Sequence, residues 1–284
     1  MSILVDQSSR VVVQGITGRT AANHVRMMCE FGTQVVAGVV PGKGGTQQDG
    51  IPIYDTVSEA SSLNGANVSL VMVPANAVRD ALLDAISAEM PLVVCVTEGV
   101  PVHDMLVVFE RLRTGKTRLI GPNCPGLVTP NQALVGVIPQ TLTRPGEIAV
   151  VSRSGTLSYE VCYELISAGL GQSTWIGVGG DALKGTSFSD LLPLFAADPM
   201  TRIVVLIGEI GGTDEECAAE LAASYPKPLV ALIAGESAPA GQTMGHAGAI
   251  ITGDRGTYTT KVTALQGAGV AIAKSPREVA SLCR

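Results

Sequence analysis

The chain has 284 residues, a formal charge of −6 at pH 7, 15% charged and only 4% aromatic residues. The length predicts about two domains, and the high content of small aliphatic residues excludes a disordered chain. The acidic balance argues against a nucleic-acid binder, and the lack of any apolar run of about 18–20 residues argues against a membrane protein.

Short apolar strands alternate with helical segments along the first half of the chain, which is typical of a parallel sheet covered by helices. The predicted strands are Arg10–Gln14, Gln34–Val39, Val68–Val73, Leu92–Thr97 and Arg118–Gly121. The predicted helices are Thr20–Phe31, Val57–Leu63, Ala77–Ala88 and His103–Arg113.

Turn residues cluster at Thr141–Gly146, and we place the domain boundary there, giving predicted domains 1–143 and 144–284. A second alternating series follows, so the predicted fold class is α/β with two largely parallel, doubly wound sheets. Its predicted strands are Ile148–Ser152, Ser173–Val178, Ile203–Ile207, Leu229–Ile233 and Gly269–Ile272. Its predicted helices are Leu157–Ala168, Ser187–Ala197, Asp214–Ser224, Tyr258–Gln266 and Pro276–Leu282.

The first two strands lead into glycine-rich loops. Gly15–Gly18 opens a helix, where free N–H groups attract anions, but the loop lacks the G-x-G-x-x-G pattern of a dinucleotide site. The second strand leads to Lys43, where a dinucleotide site needs an acid. A lysine there suits a ligand with an additional phosphate, such as CoA; the alternative is a tight turn with a solvated lysine.

Cysteine usage is uninformative about catalysis. Cys124 lies in a loop at the carboxyl end of a strand, but no neighbouring base is identifiable, so a structural or substrate-lining role is favoured over a nucleophile. The six cysteines are far apart and form no C-x-x-C pair, which argues against a zinc site or a disulfide framework. A reducing compartment, either bacterial cytoplasm or an organelle matrix, is the predicted location.

One histidine in the second half stands out because of its neighbours. His246 is flanked by small residues that leave its ring open to an incoming group, and Glu209 at a strand end is the acid that would hold one ring nitrogen. Ser154 or Thr156 is positioned to cap a helix whose first N–H groups then face a phosphate. A structural histidine and an ordinary cap remain the alternatives.

Seven segments occur together in one order: G-I-T-G, P-G-K-G-G, T-E-G, G-P-N-C-P-G, S-R-S-G-T-L-S-Y-E, G-E-I-G-G and G-H-A-G-A-I. As a set they resemble the signatures of the succinyl-CoA synthetase α-subunit family over essentially the whole chain. The resemblance implies a Rossmann-like CoA-binding domain followed by a flavodoxin-like ligase domain. It also implies a small dicarboxylic acid substrate and a β-subunit with an ATP-grasp site for ATP or GTP and Mg²⁺, in an αβ or (αβ)₂ assembly.

The resemblance carries roles over residue by residue. His246 matches the phosphorylated histidine, Glu209 its orienting carboxylate, and Tyr159 a position near the carboxylate substrate. The positions that match the phosphate-binding helix start are Ser154, Gly155 and Thr156. The positions that match CoA contacts are Thr17, Gly18, Arg19, Thr20, Lys43, Pro74, Val96, Thr97, Glu98, Asn123 and Cys124.

Three stretches depart from the usual family sequence: Gly18–Ala22, Gly180–Gly185 and Ala240–Thr243. The last two leave the acid open, because malate, itaconate and sulfinopropionate-type CoA ligases resemble this family closely. The last stretch also keeps open a non-catalytic CoA-binding regulatory module. An NAD-dependent dehydrogenase is a weaker alternative, since both the glycine fingerprint and the expected acid are missing.

Overall fold

The computed structural model describes residues 3–239, 241–252 and 255–284, so Ala240 of the altered stretch lies outside the described residues. The chain divides into two compact units, Leu4–Gln140 and Thr141–Arg284, the second of which also includes Ile3. Each unit is a mainly parallel sheet with helices, which confirms the predicted α/β class. Among the described residues, no helix has both the length and the apolar character that a membrane crossing needs.

The first unit contains a sheet whose central strand is β1. Its strands are β1 (Arg10–Gln14), β2 (Gln34–Val39), β3 (Gln47–Gln48), β4 (Ile51–Tyr54), β5 (Val68–Val71), β6 (Leu92–Cys95) and β7 (Arg118–Ile120), in the order β3-β4-β2-β1-β5-β6-β7. All neighbours are parallel except β3 and β4. Its helices are α1 (Arg19–Phe31), α2 (Val57–Asn64), α3 (Val78–Ser87) and α4 (Val102–Leu112).

The position of β1 determines where this unit can bind a ligand. Val11, Val12 and Val13 are fully buried, as expected for β-branched residues of a strand covered on both faces. The chain winds outwards from β1 in one direction through β2 and in the other through β5. A crevice therefore opens at the carboxyl end of β1, where the winding reverses.

Short strands account for what the sequence analysis missed in this unit. β3, β4 and the antiparallel hairpin β8 (Gly126–Thr129) and β9 (Ala133–Gly136) were not predicted. They have two to four residues each, too few for a hydrophobic period to register. The strands predicted to reach Val73 and Thr97 end earlier, at Val71 and Cys95, so the residues beyond them belong to loops.

The second unit contains a parallel sheet in which β10 lies between β12 and β11. Its strands are β10 (Pro145–Ser152), β11 (Gln172–Gly177), β12 (Ile203–Glu209), β13 (Leu229–Ala234) and β14 (Ala271–Ala273), and the order is β14-β13-β12-β10-β11. Its helices are α5 (Gly155–Ser167), α6 (Phe188–Ala197), α7 (Asp214–Ala222), α8 (Tyr258–Gly267) and α9 (Pro276–Leu282). The winding reverses at β10, so a ligand is expected at its carboxyl end.

Candidate functional site

The second unit places His246 against Glu209. The histidine follows β13 in a loop, and the glutamate is the last residue of β12. Nδ1 of His246 lies 2.8 Å from Oε2 of Glu209. The imidazole is 24% exposed and the carboxylate 8%. A Cβ on Gly180 would lie 2.4 Å from Cγ of His246, so the ring packs directly on that glycine.

The contact with Glu209 determines the chemistry of the imidazole. The hydrogen bond that Nδ1 donates to Glu209, together with the negative charge of that carboxylate, raises the pKa of His246 and outweighs burial and the positive charge of Arg153, which lower it. An ionised carboxylate only accepts hydrogen bonds, so in the neutral imidazole the proton sits on Nδ1. Nε2 then carries the lone pair and is the nucleophilic nitrogen.

Arg153 lies on the opposite side of the same carboxylate. Its Nη2 lies 3.4 Å from Oε1 of Glu209, while Nη1 is 3.1 Å from Oε1 of Glu215 and donates to the carbonyl of Gly211 at 2.8 Å. Burial disfavours the charge of this guanidinium, but Glu215 and Glu209 outweigh burial and raise its pKa. Arg153 was not predicted as a site residue, although it lies within the S-R-S-G segment.

Ser154, the next residue, begins helix α5. It has extended backbone angles, and its Oγ accepts a hydrogen bond from the Leu157 amide at 3.3 Å, so Ser154 rather than Thr156 is the N-cap. Thr156 Oγ1 lies 3.5 Å from Ser154 Oγ. Because Arg153 contacts Glu209, the amino end of α5 lies at the same sheet edge as the His246–Glu209 pair. Amides at a helix start favour an anion.

Tyr159 is one turn into α5. Its ring meets Trp175 of β11 edge to face, with centroids 5.7 Å apart and planes at 80°. Trp175 is fully buried, whereas Tyr159 is only partly buried. The tyrosine is therefore held by the sheet behind it.

A cleft of about 1120 Å³ lies at the crevice of the first unit. Thr17, Gly18, Arg19, Thr20 and Pro74, all predicted CoA contacts, line it. Gly18 caps α1 with no side-chain hydrogen bond, so the first amides of that helix suit a phosphate. Val39, Val40, Pro41 and Met72 add apolar walls suited to a nucleotide's base and pantetheine arm. The cleft thus has the volume and chemistry to fit CoA.

The other predicted CoA residues lie beside this lining. Nζ of Lys43 is 3.2 Å from Oγ1 of Thr17, so the lysine reaches the loop. Thr97 Oγ1 donates to the carbonyl of Val73 at 2.8 Å, and the Asn123 amide donates to the carbonyl of Thr97 at 2.9 Å. The loops after β5, β6 and β7 are thereby joined in series.

Three further predicted residues belong to these joined loops. The Val96 amide donates to the carbonyl of Val71 at 3.3 Å, and Glu98 is exposed. Cys124 is 6% exposed, and its thiol contacts the carbonyl of Cys95 at 3.2 Å. A packed, hydrogen-bonded thiol fits the structural or lining role better than a nucleophilic one.

Acidic residues of the cleft were missed by the sequence analysis. Asp55 accepts hydrogen bonds from the amides of Gly42 and Gly44 at 2.7 and 3.0 Å, and so fixes the loop that carries Lys43. Asp84 accepts from the Val57 amide at 2.9 Å, and burial raises its pKa. Asp55 follows β4, a strand too short to be predicted, so no signal linked it to the lysine loop.

Each unit matches a known protein family. The family described as CoA binding domain matches residues 6–99, and the family described as CoA-ligase matches 151–271. The subunit alpha 2 of an ADP-forming succinate–CoA ligase from Archaeoglobus fulgidus is 49% identical over 282 residues, covering 99% of this chain and 98% of that protein. The α-subunit from Staphylococcus epidermidis is 48% identical over 280 residues, covering 98% and 93%.

Solved structures share the fold. ATP citrate lyase from Methanothrix soehngenii, in complex with citrate and coenzyme A, has a TM-score of 0.88 at 24% identity. It matches 98% of this chain, which spans about half (50%) of that chain. A dinucleotide-forming acetyl-coenzyme A synthetase from Ca. Korarchaeum cryptofilum has a TM-score of 0.80 at 20% identity, covering 96% and 60%. At these identities the likeness concerns the fold alone.

Proposed function

The chain belongs to the succinate–CoA ligase α-subunit family, and from this premise we propose that it activates succinate or a related dicarboxylic acid through a phosphate carried on His246. It is thus a subunit of an acid–thiol ligase that uses CoA, and an α-subunit implies a β-subunit partner. The observation that carries the proposal is the 2.8 Å contact between Nδ1 of His246 and Glu209, which leaves Nε2 as the nucleophile.

His246 acts first. The lone pair of Nε2 attacks the terminal phosphorus of a nucleoside triphosphate, and the bond to the diphosphate breaks, its electron pair leaving with ADP or GDP. The ring gains positive charge while its Nδ1 proton stays on the hydrogen bond to Glu209. The carboxylate compensates that charge and keeps the ring oriented.

The helix start stabilises the phosphoryl group. We assign this role to the amides that follow Ser154, in Gly155 and Thr156, because the amino end of α5 shares a sheet edge with Glu209. An oxygen of the substrate carboxylate then takes the phosphoryl group from Nε2, which regenerates neutral His246 and forms an acyl phosphate. The CoA thiolate attacks the acyl carbon, and the bond to phosphate breaks with its electron pair, which releases phosphate and forms the thioester. Tyr159 is assigned to the carboxylate substrate.

The first unit binds CoA. We assign domain 1–143 to CoA and domain 144–284 to the phosphohistidine. The amides and side chains of Thr17–Thr20 bind phosphate, and Lys43 binds the additional ribose phosphate. The lining by Pro74 and the joined loops with Val96, Thr97, Glu98, Asn123 and Cys124 guide the pantetheine arm. We further propose that the partner carries an ATP-grasp site with Mg²⁺, in an αβ or (αβ)₂ assembly.

A labelling experiment tests the proposal. The chain, co-purified with its β-subunit, is given ATP or GTP with labelled terminal phosphate. We expect an acid-labile, base-stable label on the wild type and none on His246→Asn. Equal labelling of the variant would refute the role of His246, and CoA binding without any labelling would favour the non-catalytic module. A thioester assay over succinate, malate, itaconate and sulfinopropionate then identifies the acid.

A further inference from the structure

Behind Glu209, the buried charges of the second unit form a continuous line. It runs Lys261–Glu215–Arg153–Glu209–His246, with alternating sign up to the imidazole. The side chains of the first four are 0%, 1%, 2% and 8% exposed. Such burial is costly for any charge that is not paired. The line thus begins at Lys261 on helix α8 and ends at His246, the proposed nucleophile.

Each joint of the line is a close contact. Nζ of Lys261 pairs with Oε2 of Glu215. The other oxygen, Oε1 of Glu215, is 3.1 Å from Nη1 of Arg153 and accepts the Glu209 amide at 3.1 Å. Nη2 of Arg153 is 3.4 Å from Oε1 of Glu209, whose Oε2 holds His246. Glu209 therefore contacts Arg153 with one oxygen and His246 with the other. Glu215 contacts both Lys261 and Arg153, whose Nη1 is also 3.3 Å from Oε2.

This sharing makes the charge at Glu209 depend on Lys261. Lys261 compensates the negative charge of Glu215. Arg153 can therefore interact with both Glu215 and Glu209. Without the ammonium, the buried cluster has one more uncompensated negative charge, and Glu215 draws Arg153 away from Glu209. Without the charge of Glu215, Arg153 acts on Glu209 alone. The two changes therefore push the imidazole in opposite directions.

We propose that Lys261 is a positioning residue for the reaction: through Glu215 and Arg153, it sets how strongly Glu209 holds the Nδ1 proton of His246. The proposal rests on the proposed function for its catalytic meaning. The protonation of the imidazole itself is measurable without any reaction.

Other charged groups lie near the imidazole or near the line of buried charges. Asp181, in the loop after β11, also acts on His246. Lys184 pairs with Asp214 at the start of α7. Glu216, 24% exposed, is a second carboxylate partner of Lys261 at 3.2 Å. None of these residues is replaced in the variants described below.

A purely structural role is the alternative, because Lys261 also donates to the carbonyl of Gly212 at 3.1 Å, and Arg153 to that of Gly211. Loss of a backbone support would disturb the loop regardless of charge sign. An electrostatic effect transmitted through Glu215 and Arg153 instead predicts that the titration midpoint of His246 shifts in opposite directions in Lys261→Met and Glu215→Gln. The two shifts should cancel in the double variant. The direction of each shift therefore separates the two roles.

The experiment titrates the full chain, labelled with ¹⁵N and ¹³C in histidine, by NMR. Only three histidines are present, and His246→Asn assigns the signal. We expect the titration midpoint of His246 to rise by about one pH unit in Lys261→Met and to fall by a similar amount in Glu215→Gln. This is the effect of one charge at roughly 10 Å in a medium with a dielectric constant near 20. The double variant is expected to return to the wild-type midpoint.

Lys227→Met is the matched control. Lys227 is partly buried in the same unit, but its Nζ donates to the carbonyls of Phe195 and Asp198 rather than to the line. We expect no shift. If Lys261→Met does not fold, Glu215→Gln and the double variant, which buries no additional net charge, decide the question.

The outcomes separate this inference from the proposed function. If the titration midpoint of His246 shifts in the same direction in both folded single variants, or does not shift, Lys261 does not have the proposed positioning role, even if the wild type is phosphorylated normally. Absence of label on the wild type would overturn the proposed function even if the midpoints shift as expected.

Discussion

His246 and Glu209 are 37 positions apart in the chain, yet Nδ1 and Oε2 lie 2.8 Å from each other. The pair forms because β12 ends on the glutamate, and the loop after β13 folds back over the carboxyl ends of the strands. Gly180 admits the ring, and its carbonyl accepts the amide of Gly248 at 3.1 Å. The orientation of His246 therefore depends on the negative charge of Glu209 and on the absence of a side chain at Gly180.

Replacement of the carboxylate tests the charge. In Glu209→Gln the main influence that raises the pKa of His246 is lost, and the ring is no longer held in one tautomer by a negative charge. We expect the labelling rate to fall about 10–100-fold, as for other groups that orient a reactive histidine. Glu164→Gln, a change on α5 where the carboxylate pairs only loosely with Arg277 at 3.8 Å, is the control. Equal rates in the two variants would contradict the role of Glu209.

Addition of one methyl group tests the space. In Gly180→Ala the new Cβ would lie 2.4 Å from Cγ of His246, closer than any real contact. The imidazole must turn away from Glu209, so we expect labelling to be lost while CoA binding to the first unit is retained. Gly267→Ala, where a Cβ meets nothing within 4 Å, is the control. Full labelling of Gly180→Ala would show that the ring position observed here is not the reactive one.

Two serine caps allow stability and catalysis to be separated. Ser154 and Ser275 each accept a backbone amide at 3.3 Å, at the starts of α5 and α9. Either change to alanine should lower the free energy of unfolding by about 1 kcal/mol, measured by urea denaturation. Only Ser154→Ala should also slow phosphorylation of His246, because only α5 begins at the candidate site. Parallel losses of rate in both variants would assign the effect to stability alone.

The ligand of Lys43 can be identified by comparing CoA with dephospho-CoA, which lacks the ribose phosphate. We expect Lys43→Met to weaken CoA binding about 10-fold, as for one charged hydrogen bond, and to leave dephospho-CoA unaffected in calorimetry. Lys116→Met, an exposed lysine of the same unit, should change neither. Equal weakening for both ligands would mean that Lys43 contacts another part of CoA or acts only through Thr17.

The sequence predicts the sheets well because their strands are buried on both faces and appear as short apolar runs, such as Val11–Val13. It also predicts His246 and Glu209 as partners, since Glu209 lies at the end of one strand, His246 lies in the loop after the next, and the carboxyl ends of these strands meet at one edge. Strands such as β3 are too short to show a period.

The charges behind Glu209 are not predictable in this way. Lys261 lies on a helix, where an isolated lysine normally indicates the solvent face, yet its side chain is 0% exposed. Its burial depends on Glu215, 46 residues away in the chain. No local pattern encodes such a pairing, because each charge is tolerated inside only when the folded chain supplies the other.

The pH dependence of labelling should follow the His246–Glu209 contact. The hydrogen bond raises the pKa of His246, so a larger fraction of Nε2 is protonated near neutral pH than in a free imidazole. Because protonated Nε2 has no lone pair, labelling should fall as pH decreases through this raised pKa. Stability should change in the opposite sense: a raised folded pKa stabilises the fold fully below the unfolded value, and this contribution is lost as pH rises through the folded one. In Glu209→Gln both profiles should move to lower pH, which rate and urea measurements across pH 5–9 on the same samples would check. Profiles that stay in place in the variant would show that another group controls the imidazole.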